Sequence, residues 1–107
     1  MTCTEVVFST PQLRVDWLPG LPMRVVGELD IATSPDLSGA IDEALVWSHP
    51  LQLDMSEVSF IDASALRVLA ARSKHRKDGA PALEIIHASD IVEKVLGLVH
   101  MEHLLAS

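Results

Sequence analysis

Three short runs rich in apolar and β-branched residues precede residue 30, Val6–Ser9, Leu13–Leu18 and Met23–Leu29, the second alternating apolar and polar from Leu13 to Trp17, and they predict three strands. Thr10-Pro11 and the turn signal Pro19-Gly20 separate them, so neighbouring strands of a meander or hairpin edge are expected. From Ser34 the period lengthens to that of a helix. Leu37, Ile41, Ala44, Leu45 and Ser48 recur at helical spacing, with Ser34 as N-cap and Pro35 as the first helical residue. Gly39 costs this helix about 1 kcal/mol relative to Ala unless close packing requires it. His49-Pro50 stops it, and a strand over Leu51–Met55 follows. A second helix is predicted from Asp62 to about Lys77, with Leu66, Leu69, Ala70 and Ser73 on its buried face and Asp78-Gly79 as its stop. After Pro81 come a strand over Ala82–Ile86 and a third helix capped by Ser89, with Val92, Val95, Leu96 and Val99 on one face and Gly97 marking its end. A short final helix over His100–Leu105 completes the pattern. Strands first, then alternation of strand and helix, imply an α/β fold in which a mixed β-sheet packs against about four α-helices.

The stretch Leu51–Leu69 is the most informative, because a strand leads through a loop straight into a helix that opens at Asp62. Such a junction leaves backbone N–H groups and small side chains facing solvent, within reach of a phosphate or a partner protein. Asp62 caps the helix there, and Ala63 and Ser64 lie in its first turn, where the helix dipole favours negative charge, including that of a phosphorylated hydroxyl. The plainer alternative is an ordinary cap followed by small residues that merely begin a helix.

Composition narrows the class. A chain of 107 residues with 49% hydrophobic content supports one core, so a single domain over residues 1–107 is expected. There is no run of about 18 apolar residues. The opening MTCTEVVFST has neither the basic nor the apolar region of a secretory leader, which points to the cytoplasm. Cys3, the only cysteine, has no partner for an internal disulfide. The net charge of −7 is unevenly spread: ten acidic residues up to Asp62 face only Arg14 and Arg24, whereas Arg67, Arg72, Lys74, Arg76 and Lys77 follow with no acid among them. That basic run falls where the second helix should end, where cations complement the dipole, and a net acidic domain repels nucleic acid. His100 and His103 lack a third ligand, and there is no glycine-rich phosphate loop, nucleophile elbow or paired-cysteine motif. No metal, cofactor or catalytic residue is therefore expected. Phe8, Trp17, Trp47 and Phe60 read as core or interface filler.

Two motifs carry a family resemblance, Gly27-Glu28-Leu29-Asp30-Ile31-Ala32-Thr33-Ser34 and the run from Leu53 to Leu66, LDMSEVSFIDASAL, with a weaker third at Val92–Leu98, VEKVLGL. In this order and spacing the chain resembles a STAS domain of the single-domain anti-sigma factor antagonist type over about residues 6–105. The resemblance implies a non-enzymatic, cytosolic partner-switching module; a monomer when free is the default expectation. Such a module binds an anti-sigma factor of the serine kinase type, thereby releases a sigma factor, and is inactivated when that kinase phosphorylates it. It also implies a partner surface at Asp30, Thr33, Ser34, Asp62, Ala63, Ser64, Ala65 and Leu66. In the family the phosphoacceptor directly follows the aspartate, in patterns resembling D-S-S-G-L or D-S-T-G-L.

Ala63 stands at that position and has no hydroxyl; Ser64 matches the next position and Ala65 the glycine. A helical backbone at residue 65 makes Ala better than Gly by up to about 1 kcal/mol, and a positive φ reverses the sign. Three readings follow: a constitutive antagonist, a switch moved to Ser64, or a domain that keeps the docking surface and has lost sigma-factor regulation. Asp30 and Asp62 offer acceptors to a partner, or serve as a turn residue and a cap; Thr33 and Ser34 carry the same ambiguity. Two further classes remain as alternatives. One is an adaptor subunit of a signalling scaffold or transport complex, and the other a small hydrolase using Asp30 and Asp62 as paired carboxylates.

Overall fold

The computed structural model describes residues 6–48, 50–74 and 82–105. Cys3, His49, Arg76, the predicted continuation of the second helix to Lys77, its Asp78-Gly79 stop and Pro81 lie outside them. The elements run β1 (Val6–Ser9), β2 (Leu13–Trp17), β3 (Met23–Leu29), α1 (Ser34–Leu45), β4 (Leu51–Ile61), α2 (Ala63–Ser73), β5 (Leu83–Ala88) and α3 (Asp90–Leu98), followed by a 3₁₀ turn over Glu102–Leu104. The strands form one sheet in the order β1-β2-β3-β4-β5. The first two pairings are antiparallel and the last two parallel. The expected mixed sheet is therefore present, with three α-helices among the described residues rather than about four. The predicted final helix is only a 3₁₀ turn, too short to be an α-helix.

Crossovers β3-α1-β4 and β4-α2-β5 join neighbouring parallel strands and place α1 and α2 side by side. Leu37, Ala40, Ile41, Ala44 and Leu45 of α1 and Ala65, Leu66 and Leu69 of α2 close over Leu13, Val15, Trp17, Met23, Val25, Leu51, Leu53 and Met55 of the sheet. Val92 and Leu96 of α3 join the same core. Each large side chain so buried contributes on the order of 2 kcal/mol. Arg72 ties the two helices together, its guanidinium forked on the Asp42 carboxylate at 3.0 and 3.1 Å with one nitrogen also donating to Ser38. The other sheet face is mixed, with the ion pairs Arg14–Asp16 and Arg24–Glu57 beside Val7 and Val26. Gly39 faces open space, so no packing offsets its cost to α1. Trp17 is core, whereas Trp47 and Phe60 are exposed. No helix among the described residues is long and apolar enough to cross a membrane.

The chain from Leu51 is one strand up to Ile61, not a strand ending at Met55 followed by a loop. Its buried positions are Leu51, Leu53 and Met55, then Val58 and Ile61, so the spacing changes from two to three. Pairing with β3 explains the change: Arg24 and Val26, two apart, face Asp54 and Glu57, three apart, and adjacent Gly27 and Glu28 face Val58 and Phe60. Each bulge inserts one residue into β4, and each keeps the next apolar side chain pointing inward.

At the far end, α3 closes with a Schellman turn. Met101 N–H bonds the Leu96 carbonyl at 2.8 Å, His100 N–H bonds that of Gly97 at 3.4 Å, and His100 takes the left-handed conformation at φ 58°. The helix therefore ends at Leu98, past Gly97, and His100 and His103 do not share a helix.

Candidate functional site

Parallel strands β3 and β4 end side by side, Leu29 opposite Ile61, and each hands the chain directly to a helix. The Asp62 N–H bonds the Leu29 carbonyl at 3.0 Å, so the sheet ladder fixes the residue from which α2 starts. Asp62 is an extended-backbone N-cap. Its Oδ1 accepts the N–H of Ser64 at 2.9 Å, the N–H of Ala65 at 3.3 Å and the Ser64 hydroxyl at 2.5 Å. Those donors hold its carboxyl below the usual carboxylate range, the Ser64 hydroxyl most of all, against the opposing effect of burial, with the Ala65, Ser64 and Ile31 amides adding to it.

Ser64 reaches further. Its Oγ lies 3.0 Å from Oγ of Ser34, at the first turn of α1, and the Ser34 hydroxyl lies 2.7 Å from the Asp30 carbonyl. Two hydroxyl protons serve three close contacts. Ser34 donates to the Asp30 carbonyl, which also receives the Ser34 N–H at 2.9 Å, Ser64 donates to Asp62, and at the Ser34–Ser64 contact either hydroxyl can be the donor. Two helix N-termini are thus stitched together through the pair Ser34–Ser64.

Asp30 works mostly within its own loop. Oδ1 accepts the N–H groups of Ala32 at 2.9 Å and Thr33 at 3.1 Å, and Oδ2 accepts Nε2 of Gln12 at 2.5 Å. Thr33 Oγ1 donates to the Glu28 carbonyl and accepts the Asp30 N–H, both at 2.9 Å. That occupation explains why Thr33, the N-cap of α1, makes no side-chain cap, and why Ser34 is the first helical residue rather than the cap.

The eight residues singled out from the sequence come together at this one end of the sheet, but they present different surfaces. Thr33, Ser34, Ala65 and Leu66 are buried, whereas Ala63 is exposed and Asp30, Asp62 and Ser64 are half-buried. Residue 65 is helical with no positive φ, so Ala65 carries no strain. Ala65→Gly is expected to lower the unfolding free energy by about 1 kcal/mol, read from urea denaturation at neutral pH. Sequence reasoning missed Gln12, brought to Asp30 by the β2–β3 pairing, and Ile31, 78% exposed at the tip of the loop. It also missed the wall opposite α2 formed by Val99 and Met101. No local signal marks Gln12; an apolar Ile31 inside a polar turn was such a signal. Among the described residues no group of three or more His, Cys, Asp or Glu could hold a metal ion.

The fold has known counterparts. The chain is similar to the anti-sigma factor antagonist SpoIIAA in its unphosphorylated form, with a TM-score of 0.68 and 16% identity over 88% of this chain and 85% of that one. It is also similar to an anti-sigma factor antagonist from Mycobacterium paratuberculosis, with a TM-score of 0.66 and 24% identity over 95% and 81%. No curated protein matches it. The family model described as "Mlab, STAS domain" matches residues 20–106, so the chain belongs to the STAS domain family.

Proposed function

We propose that this STAS domain is an anti-sigma factor antagonist without a phosphorylation switch, a cytoplasmic monomer that docks on an anti-sigma factor of the serine kinase type and thereby releases a sigma factor. The observation that carries the reading is the division of labour at the start of α2. Ala63, at the family's acceptor position, is the exposed residue, while the Ser64 hydroxyl is engaged by Asp62 and Ser34. A phosphoryl group on Ser64 would sit beside the Asp62 carboxylate and break the contact with Ser34, and both effects oppose it. Asp30 and Asp62 are both taken up as acceptors for backbone and side-chain donors within the fold, which speaks against the paired-carboxylate hydrolase.

The test incubates the purified chain with each candidate anti-sigma kinase and ATP, followed by intact-mass measurement and peptide mapping. Expected results are complex formation with one kinase, no phosphate on the native chain, and one phosphate at residue 63 in Ala63→Ser. Phosphate on Ser64 would reject the fixed antagonist in favour of a displaced switch. Binding to none of the kinases would sink the antagonist reading and leave the adaptor of a signalling scaffold or transport complex.

A further inference from the structure

Beside Ala63 the surface opens into an apolar groove of about 230 Å³ between α2 and the turn that ends α3, lined by Ala63, Leu66, Arg67, Ala70, Val99 and Met101. The Schellman turn at His100 sets the position of the far wall. Its apolar character continues outward, since Leu98 is 71% exposed and Val99 44%. Arg67 is the single charged residue of the lining. Among the described residues, Arg14, Arg24 and Arg72 are each held by a carboxylate, and Arg67 is in no ion pair. The described length of α2 contains no acidic residue, and Lys74 lies two turns beyond Arg67 on the same exposed stripe. A cationic rim over apolar walls thus stands out on a chain whose net charge is −7.

We propose that this groove takes a short amphipathic helix of the partner, with apolar side chains packed between α2 and Val99–Met101 and an acidic residue paired with Arg67. The groove runs from Ala63 to Ala70, seven residues or about 10 Å of helix, which spans two turns of an incoming helix with anchors at i, i+4 and i+7. Charge complementarity selects the acidic partner: a basic helix meets Arg67 and Lys74, whereas an acidic one is attracted by them although the chain as a whole repels it. The inference deepens the antagonist reading, on which it rests for the partner's identity, by naming the chemistry of the segment that docks.

The probe is a pair of synthetic helical peptides of about 14 residues with one leucine face, flanked in one by Glu and in the other by Lys, titrated into the full ¹⁵N-labelled chain. The Glu peptide is expected to shift the amides of Ala63, Leu66, Ala70, Val99 and Met101 and to bind at least about tenfold more tightly than the Lys peptide at low salt. Arg67→Glu, an exposed change that leaves the core intact, should abolish or reverse that preference, and Val99→Ser should weaken both peptides. Equal binding of the two peptides, shifts confined to another face, or concentration-dependent shifts at the groove without peptide, which would mean a second copy of the chain, each overturn the proposal. A kinase that binds the native chain and Arg67→Glu equally well removes the groove but leaves the antagonist reading standing. Failure of every kinase alongside a retained Glu preference does the reverse.

Discussion

Gly27→Ala is expected to lower the unfolding free energy by about 3 kcal/mol or more, a large share of the roughly 5–15 kcal/mol that holds a small domain together. Two independent costs meet at this residue. Its φ of +119° is a conformation that residues with a Cβ rarely adopt. A Cβ built there would also lie 2.3 Å from the Gln12 carbonyl oxygen, a backbone atom that cannot swing aside as a side chain would. The same oxygen accepts the Glu28 N–H at 3.0 Å, and the Gln12 side chain holds Asp30, so relief of the clash moves the Asp30–Thr33 loop as well. Urea denaturation gives the free energy, and amide shifts at Asp30–Thr33 report the loop. A loss under about 1 kcal/mol with an unmoved loop would contradict the close approach of β2 to Gly27.

Asp62→Ala is expected to cost about 1–2 kcal/mol at neutral pH, the usual penalty for removing an N-cap. The pH dependence has a definite sign. The folded carboxyl titrates below its ordinary value of about 3.9, so its contribution is complete above that value and is lost as pH falls through the lower folded one. The stability gap between the native chain and Asp62→Ala should therefore stay level from pH 7 down to about 5 and narrow below about 4. A gap that widened on acidification would mean that the Ser64 hydroxyl and the three amides do not favour the ionised form. The substitution also leaves Ser64 with Ser34 as its remaining side-chain partner at this site, so a kinase that ignores Ser64 in the native chain meets a freer hydroxyl in the variant.

Cap chemistry is local, and it was legible: the sequence Asp-Ala-Ser-Ala ahead of an apolar repeat places Asp62 as the cap, and the structure has it there. The same logic misplaced the start of α1 by one residue, because the Thr33 hydroxyl is drawn back to β3 by Glu28 and Asp30. Strand periodicity broke at Met55 because two bulges shift the inward positions, and bulges are decided by the neighbouring strand rather than by the residues that carry them. The end of α3 was misread at Gly97 because glycine is the usual left-handed residue at such ends, whereas here His100 takes that role. The Ser34–Ser64 contact joins residues 30 apart and has no sequence signature. Position 65 was open between a gain and a cost, and only the backbone decides it, as a helical alanine.

The two margins of the sheet are unequal. Along β5, Leu105 forms a parallel bridge at Ile85 and occupies the outer side, whereas β1 is the outermost strand at the opposite margin. The Leu105 bridge occupies the backbone groups at Ile85, so at that point of β5 an incoming strand finds its place already taken by the chain's own C-terminal segment.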